Sequence, residues 1–568
     1  MSQLNNYYSS NLNDSSEFPI NSKDWETGSS SRLIIHQSKL SLQEETNVFA
    51  KFRQILKNRS LHLLVLVLAL AILLQACAGG TATPTEPSAG QDRLGVFRVA
   101  MQPIVQTDPA FISSDPEIIV ASSIYDYLVD VTPQNTIAPR LAREWTVSED
   151  GKTYVFILVE NATFHDGTLF TAEDIVWTFN RLRDPGVDSP TKDIYSNIVK
   201  IEASDQFEVT FTLKEPNPFF LYDLSDNHAL ILKANSQDPG SDFIGTGPFK
   251  QVSYSPEDRL VVEANEDYFL SDRPKLEKVE FIFFNDQIAQ VEALRSGQVD
   301  LVMLLSADLF NTLIGEQGVI PLRAATNSFD VVRLRSDRAP GDDPRLMEAL
   351  RLATDRQAIF DLVLQGYGEI GQDTPIGPMY SQYYTEDLQL PARDIDAARQ
   401  LLADAGYPDG IDFELHTPDT GNRPNLAVVL KDQWAEAGIN VDVIVEPESV
   451  YYGDEGWLAV DLGITGWGSR PYPQFYLDTM LVCEAKWNES HFCDSELDRL
   501  AKITGTTMNE EERVEAYRQI QELLVARGPI LIPYFFSQLG AISDKFTDFQ
   551  MKPFPGRSDL SPIRLTDQ

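Results

Sequence analysis

Two spacings of apolar positions alternate along the chain from Val96 onward. Segments 153–159 (TYVFILV) and 208–213 (EVTFTL) are rich in β-branched and aromatic residues, which is typical of strands. Segment 172–182 (AEDIVWTFNRL) has apolar residues at helical spacing and follows Thr171, a residue type that caps helix N-termini. These patterns predict a chain that mixes strands with helices.

A strand, a helix and a second strand follow one another between 278 and 302. KVEFIFF (278–284) is typical of a strand, and DQIAQVEALRSGQVDLV (286–302) predicts a helix that stops at glycine before another strand. This order predicts a βαβ-like unit. The same pattern recurs within 345–366, 397–406, 427–447 and 511–528, and each helix predicted there ends at or near glycine. No repeat of fixed period is present, which favours an α/β fold with mixed sheets over a solenoid or a propeller.

An uninterrupted apolar run lies at 63–74, ahead of the alternating region. As a helix it would extend only about 20 Å, less than the roughly 30 Å hydrocarbon core of a bilayer. Basic residues precede it between 51 and 59, and small residues follow it between 76 and 80. This order of charge, apolar core and small residues predicts a secretory signal.

The end of this signal, LLQAC at 73–77, resembles the cleavage site of bacterial lipoproteins. The resemblance implies a lipoprotein signal at 61–77, with Cys77 as the lipid-modified first residue of the mature protein. Gln75 departs from the small residue that is usual at its position, and an uncleaved apolar anchor is the alternative. Residues 78–93 are rich in Thr, Pro, Ser and Gly, which predicts a flexible tether.

Residues 1–60 begin with a stretch rich in Ser and Asn and show no sustained apolar period. Such a composition predicts a disordered leader. Two explanations remain open for it. Translation could begin near Val48, or the segment could be a cytoplasmic tail on an uncleaved anchor.

Composition and charge narrow the class of function. The chain has 568 residues, 43% of them hydrophobic, which is enough for a large core. Its formal net charge of −39 argues against nucleic-acid binding, because phosphate contacts need clustered Lys and Arg. The sequence contains no G-x-S-x-G elbow, no H-E-x-x-H, no phosphate-binding loop and no dinucleotide fingerprint. We therefore expect no enzyme activity, cofactor or metal.

Two local motifs have simpler explanations than catalysis. His165 and Asp166 are adjacent, but adjacent side chains on a turn usually point apart, so we expect a connection before the helix at 172–182. Gly245-Thr246-Gly247-Pro248 (245–248) is a poor phosphate cradle because proline lacks an amide donor. We expect a tight turn there.

The chain has three cysteines. If Cys77 carries lipid, Cys483 and Cys493 remain as a pair in an exported protein, which predicts a disulfide. A metal site is the alternative, but two cysteines and His491 do not complete a zinc shell.

An ordered set of segments extends over the chain from Leu94 to the C-terminus. It comprises 141–182, 245–254 (GTGPFKQVSY), 265–269, 294–301 (LRSGQVDL), 342–368, 401–410 (LLADAGYPDG), 464–480 (ITGWGSRPYPQFYLDTM) and 487–500. In this order the segments resemble the large solute-binding proteins of ABC importers, family 5, the group that binds oligopeptides, dipeptides and nickel.

The resemblance implies a two-lobed, periplasmic-binding-protein-like α/β fold of the large cluster C type, with mixed sheets and a ligand cleft between the lobes. Lobe I would comprise 94–332 and the return segment 536–568, and lobe II would comprise 333–535. The crossings would lie near 331–336 and 532–537. The implied mechanism is closure about a hinge on a bound solute.

The implied function is capture of a small molecule or short peptide by a lipid-anchored monomer outside the cytoplasm, on the periplasmic or cell-surface side, and delivery to ABC permease subunits. A sensor or chaperone that presents ligand on the same scaffold is an alternative. An exported hydrolase would need clustered catalytic groups that the sequence does not display.

The ligand expectation depends on GWGSRPYPQ at 466–474. In peptide-binding members an aspartate shortly after the tryptophan pairs with the ligand's α-ammonium group, and here Arg470 takes that position. A guanidinium group favours a carboxylate or phosphate, so we expect an anionic or zwitterionic ligand. Trp467 and Tyr472 are further candidate ligand contacts, and Tyr125 is a candidate from lobe I. The alternatives are loop packing for Trp467 and Tyr472, and a surface ion pair for Arg470.

Overall fold

The computed structural model describes residues 95–453 and 456–566. Its strands are β1 (Val96–Met101), β2 (Val129–Val131), β3 (Ile137–Pro139), β4 (Ala142–Val147), β5 (Thr153–Leu158), β6 (Ile198–Asp205), β7 (Glu208–Leu213), β8 (Phe249–Ser255), β9 (Arg259–Ala264), β10 (Lys278–Phe283), β11 (Leu301–Met303), β12 (Val319–Leu334), β13 (Gly368–Ile370), β14 (Ile411–Pro418), β15 (Ile439–Glu446), β16 (Leu462–Trp467), β17 (Ile530–Leu531), β18 (Tyr534–Ser543), β19 (Phe546–Thr547) and β20 (Arg564–Leu565).

The α-helices are α1 (Asp115–Ile124), α2 (Ala172–Arg183), α3 (Phe220–Asp223), α4 (Pro239–Asp242), α5 (Gln287–Arg295), α6 (Ala307–Asn311), α7 (Pro344–Ala353), α8 (Arg356–Val363), α9 (Ile395–Asp404), α10 (Arg423–Ala435), α11 (Glu448–Tyr451), α12 (Gln474–Tyr476), α13 (Ser495–Thr506) and α14 (Glu510–Arg527). None of these helices is long and apolar enough to cross a membrane.

The predicted mixture of strands and helices is confirmed. The strand predictions at 153–159 and 208–213 correspond to β5 and β7, and the helix that follows Thr171 is α2. The predicted βαβ-like unit is β10, α5 and β11. The two strands of that unit do not pair with each other, because β1 lies between them and runs parallel to both.

The segment 345–366 forms two helices, α7 and α8, so the expectation of a single helix there is wrong. The break falls at Thr354 and Asp355. The Asp355 side chain accepts a hydrogen bond from the Ala358 amide at 2.9 Å and so caps a new helix. Thr354 is buried and accepts a hydrogen bond from the indole nitrogen of Trp434 at 2.9 Å, which fixes the break against α10.

The largest sheet has the strand order β15-β14-β16-β12-β18-β11-β1-β10-β9-β8, with β13 paired to β18 and β17 paired to β12. It is mixed, since β14 runs parallel to β15 and β16 while β12 runs antiparallel to β16 and β18. A separate antiparallel sheet has the order β4-β5-β7-β6. The fold is therefore α/β with mixed sheets, as expected.

Residues at different positions along β12 and β18 pack in different hydrophobic cores. On β12, Ala324 packs with the core of β1 and β10, whereas Phe329 packs with the core of α13 and α14. On β18, Phe535 belongs to that second core, and Leu539 packs with α5 and α6. The register between the two strands shifts between Ala324 and Ser328. The names lobe I (94–332 and 536–568) and lobe II (333–535) refer below to the predicted boundaries, which stay predictions.

The glycines of 245–248 allow a close approach between two backbones, so the predicted tight turn does not account for them. A Cβ atom at Gly245 would lie 2.0 Å from the carbonyl oxygen of Ile124, at the end of α1. The Gly247 amide donates to that same oxygen at 2.9 Å. His165 packs here too, with one ring nitrogen 3.0 Å from the Gly247 carbonyl oxygen.

Cys483 and Cys493 are joined in the structure, with their sulfur atoms 2.09 Å apart and their Cα atoms 4.4 Å apart. Within the described residues no three His, Cys, Asp or Glu side chains form a group that could hold a metal ion. Cys77 lies outside the described residues.

Thiol labelling of the exported protein tests this bond. We expect that neither Cys483 nor Cys493 reacts with a thiol reagent under denaturing conditions before reduction, and that both react after reduction. Intact-mass measurement and peptide mapping give the number and position of the labels. Label on both residues without prior reduction would contradict the disulfide.

Candidate ligand-binding cleft

The loop after β16 brings two of the predicted ligand contacts, Arg470 and Tyr472, to a cavity between the lobes. Trp467 ends β16, and Arg470 and Tyr472 follow it before α12. The cavity has a volume of about 40 Å³. Its lining combines lobe I residues with residues of this loop: Ile194, Tyr222, Asp223, Ser225, Asp226, Asn227, Ser469, Arg470, Pro471, Tyr472, Phe475, Phe554 and Arg557.

Arg470 lines the cavity without a carboxylate partner. Its guanidinium carbon lies 4.4 Å from the centre of the Phe475 ring, in a cation–π contact. Its carbonyl oxygen accepts a hydrogen bond from the Tyr380 hydroxyl at 2.7 Å, which fixes the backbone of the loop. Among the described residues no Asp or Glu lies within ion-pair distance of the guanidinium group. The structure therefore offers no surface ion pair as an explanation for Arg470.

Tyr472 bridges the two lobes. Its hydroxyl donates to a carboxylate oxygen of Asp223 at 2.5 Å, and its ring stacks on Phe219 with the ring centres 5.0 Å apart and the planes 12° apart. The Asp223 contact and burial together hold the pKa of Tyr472 well above its ordinary value, with burial as the larger cause. In this conformation the hydroxyl is engaged by lobe I.

Trp467 is buried rather than part of the cavity lining, with 8% of its surface exposed. Its indole nitrogen donates to Glu489 at 3.1 Å, and its ring packs edge-on against Tyr476 and Trp487. The structure thus supports loop packing for this residue. A direct ligand contact by Trp467 stays a prediction.

Tyr125 lies apart from the other three candidates. It is 2% exposed, and its hydroxyl is 3.4 Å from the carbonyl oxygen of Pro239. It contacts a separate, water-sized cavity of about 10 Å³ beside α1. Burial is the main cause that raises its pKa. The structure therefore does not bring Tyr125 to the cavity that Arg470 lines.

Two lobe I carboxyl groups on the cavity wall have opposite pKa shifts. Burial raises the pKa of Asp223 to about 7, against the opposing effect of hydrogen bonds from Tyr472 and Asn217. Burial also acts to raise the pKa of Asp226, but His228 and Arg470 outweigh it and lower this pKa to about 2. His228 contacts the Asp226 carboxylate at 2.6 Å. At neutral pH Asp226 is therefore ionised, whereas Asp223 is partly protonated.

Further contacts join the lobes beside the cavity. Phe219 of lobe I is 2% exposed and packs edge-on against Tyr383 and Tyr517 of lobe II. The Asn135 side chain donates to the carbonyl oxygen of Pro471 at 2.9 Å. These contacts hold the described conformation closed on this side.

The sequence did not identify the lobe I side of this cavity. Asp223, Asp226 and Phe219 lie more than two hundred residues before Arg470 in the chain, and no local pattern distinguishes them from other acidic and aromatic residues. The two regions meet through contacts between residues that are distant in sequence, such as Tyr472 with Asp223 and Phe219.

The fold and the cleft define a two-lobed substrate-binding protein of the periplasmic-binding-protein class. The family model "Bacterial extracellular solute-binding proteins, family 5 Middle" matches residues 136–488. The chain belongs to this family of extracytoplasmic substrate-binding proteins of ABC importers, and it is not an enzyme.

Individual relatives agree with this assignment. Di/tripeptide-binding protein 1 of Pseudomonas aeruginosa is 27% identical over 79% of this chain and 90% of the relative. Heme-binding protein A of Haemophilus influenzae is 26% identical over 86% of this chain and 96% of the relative. The solved structure of the substrate-binding protein CtaP from Listeria monocytogenes superposes with a TM-score of 0.75 at 22% identity, covering 83% of this chain and 99% of CtaP.

Replacing Asp223 with asparagine tests the buried carboxyl group. Because the pKa of Asp223 is raised from 3.8 to about 7 on folding, its stabilising contribution is full at low pH and is lost as pH rises through that interval. The side-chain amide of the D223N variant does not titrate. We therefore expect the Tm of D223N minus the Tm of the wild type to increase between about pH 4 and pH 8.

Thermal unfolding at a series of pH values measures this difference. Asp258→Asn, at an exposed position, controls for the loss of one negative charge. A Tm difference for D223N that does not change across the series would contradict the raised pKa.

Proposed function

We propose that the chain is a substrate-binding lipoprotein of an ABC importer, which captures a small peptide-like, anionic or zwitterionic solute between its lobes and delivers it to the permease. The observation that carries this proposal is the Arg470 guanidinium group, which lines the interlobe cavity without a carboxylate partner among the described residues.

Arg470 favours an anionic group on the lobe II side of the ligand. When the lobes close, its guanidinium group loses water, and that loss is tolerable only if an anion replaces the hydrogen bonds. A ligand carboxylate can do so with two parallel hydrogen bonds. A ligand ammonium group in that place would leave two positive charges facing each other.

Asp226 supports a zwitterionic ligand rather than a simple anion. It is ionised at neutral pH and lies on the lobe I side of the same cavity, within electrostatic reach of Arg470. The two charges do not form an ion pair, since no N–O distance between them is within 4.0 Å. A solute with its carboxylate toward Arg470 and its ammonium group toward Asp226 would satisfy both.

Ligand entry requires the lobes to separate. The cavity of about 40 Å³ is far below the volume of a peptide, since ligand pockets typically measure roughly 300–1,000 Å³. The contacts of Tyr472 with Asp223 and Phe219 would break on opening, and contacts to the bound solute would replace them. The closed form would then be favoured by the ligand contacts that only it can make.

The lipid anchor and the tether at 78–93 would hold the monomeric body beside the permease outside the cytoplasm. This part of the proposal rests on the signal-like run at 63–74 and on Cys77. A covalent lipid confines the protein to the membrane surface and raises its effective concentration near the transporter.

Calorimetry on Arg470→Ala tests the charge preference. We expect the solute recovered from the purified protein to bind the variant more weakly by about 2–5 kcal/mol, the range for loss of one side of a buried charged pair. The thermal stability of the ligand-free protein should fall only slightly, because the variant loses the cation–π contact with Phe475 and the charge attraction to Asp226 but no ion pair within 4.0 Å. Arg499→Ala removes an exposed arginine of α13 and is the matched control.

Equal affinity of R470A and the wild type would mean that the guanidinium group does not contact the ligand. The anionic or zwitterionic assignment would then fail.

Metabolic labelling with a radioactive fatty acid tests the anchor. We expect label on the wild-type protein expressed in a bacterium and none on Cys77→Ala, because no other cysteine lies near the signal. Cys483→Ala serves as the control and should keep its label. Lipid on the C77A protein would contradict the assignment of Cys77.

A further inference from the structure

A fully buried ionic network lies at the end of β16. Arg333 is 0% exposed and Glu489 is 1% exposed, and the Arg333 Nε atom donates to a Glu489 carboxylate oxygen at 3.1 Å. The Thr465 hydroxyl donates to the same oxygen at 2.6 Å, and the indole nitrogen of Trp467 donates to the other oxygen at 3.1 Å. Glu489 thus accepts from three donors, two of which belong to β16.

Glu489 comes from the loop that the Cys483–Cys493 bond closes. Inside this loop the Asn488 side chain donates to the carbonyl oxygens of Val482 and Phe492, at 3.2 Å and 2.7 Å. The disulfide and these two hydrogen bonds fix both ends of the loop. The Glu489 carboxylate is therefore held at one place against β16.

Trp467 connects this network to the cleft. It is the last residue of β16, and Arg470 follows three residues later. The Gly468 carbonyl oxygen accepts from the Tyr476 hydroxyl at 2.8 Å, so the backbone after Trp467 is fixed as well. Rotation of the Trp467 ring would disturb its contact with Tyr476 and, through it, the start of the loop that carries Arg470.

We infer that Glu489 is a positioning residue for ligand binding: it fixes the Trp467 indole and thereby the direction of the loop that presents Arg470, and the Cys483–Cys493 bond holds Glu489 in place. The consequence for ligand binding rests on the function proposed above. The arrangement of Glu489, Trp467 and the disulfide is independent of that proposal.

A purely structural role for Glu489 is the competing explanation, since it also neutralises Arg333. The two roles differ in what they affect. Neutralising Arg333 affects the stability of lobe II, whereas positioning affects the Trp467 indole and the preference of the cleft for a carboxylate. Measurements on the folded variant proteins therefore separate the two.

The first measurement follows the indole N–H of Trp467 by NMR in the full chain labelled with ¹⁵N-tryptophan, with the resonance assigned from Trp467→Phe. Hydrogen exchange of this group should be at least about tenfold faster in Glu489→Gln, because the neutral amide accepts a weaker hydrogen bond than the carboxylate. It should also be faster in the Cys483→Ser/Cys493→Ser protein, which keeps Glu489 but opens the loop. Glu484→Gln, a change at an exposed position in the same loop, should leave the exchange rate unchanged.

The second measurement compares L-alanyl-L-alanine with its C-terminal amide as calorimetric probes. We expect the wild type and E484Q to prefer the free carboxylate, and this preference to fall by about tenfold in the double cysteine variant while its Tm stays above the assay temperature. This variant keeps the Arg333–Glu489 pair, so the test remains decisive if E489Q does not fold.

Unchanged indole exchange in the double cysteine variant would overturn the inference. Faster exchange with an unchanged carboxylate preference would also overturn it, since Glu489 would then be structural only. If neither probe binds the wild type, L-alanyl-L-alanine is not a ligand, and the indole exchange alone decides whether Glu489 fixes Trp467.

Discussion

The antiparallel pairing of β12 with β18 is the constraint on which the rest of the structure depends. These strands lie side by side in the largest sheet, and the packing of both changes from one hydrophobic core to another along their length. The register shift between Ala324 and Ser328 falls where this change occurs on β12. Any separation of the lobes must therefore bend both strands together, which restricts the motion to a hinge.

The chemistry of the cleft follows from which charged side chains are paired in each lobe. Lobe II neutralises Arg333 with Glu489 in its interior but leaves Arg470 without a carboxylate at the cavity. Lobe I holds Asp226 ionised and Asp223 partly protonated on the facing wall. Arg470 is half-buried and has no carboxylate within ion-pair distance among the described residues, so it is the group at the cavity that the proposed ligand would satisfy. The paired Arg333 and Glu489 in the interior fix the structure next to the loop that carries Arg470.

Local patterns were sufficient to predict several strands and most of the longer helices of the fold. The strand at 208–213 and the helix after Thr171 follow from side-chain type and spacing, which act over a few residues. The break at Asp355 was missed because Trp434, far along the chain, helps to fix it. The motif predicted Arg470 as a ligand contact, and it lines the cavity, but the contact itself stays a prediction. Tyr472 is engaged by Asp223, a contact across 249 residues that no local pattern encodes. Tyr125 lies beside a separate cavity, and no local pattern in the sequence indicates that position.

The identity of the solute that co-purifies with the protein tests the central claim most directly. Native mass spectrometry of the purified chain, followed by release and analysis of the bound molecule, gives its mass, stoichiometry and ionisable groups. We expect one small molecule per chain that carries a carboxylate or another anionic group, with or without an ammonium group. A bound solute with only cationic or neutral groups would contradict it.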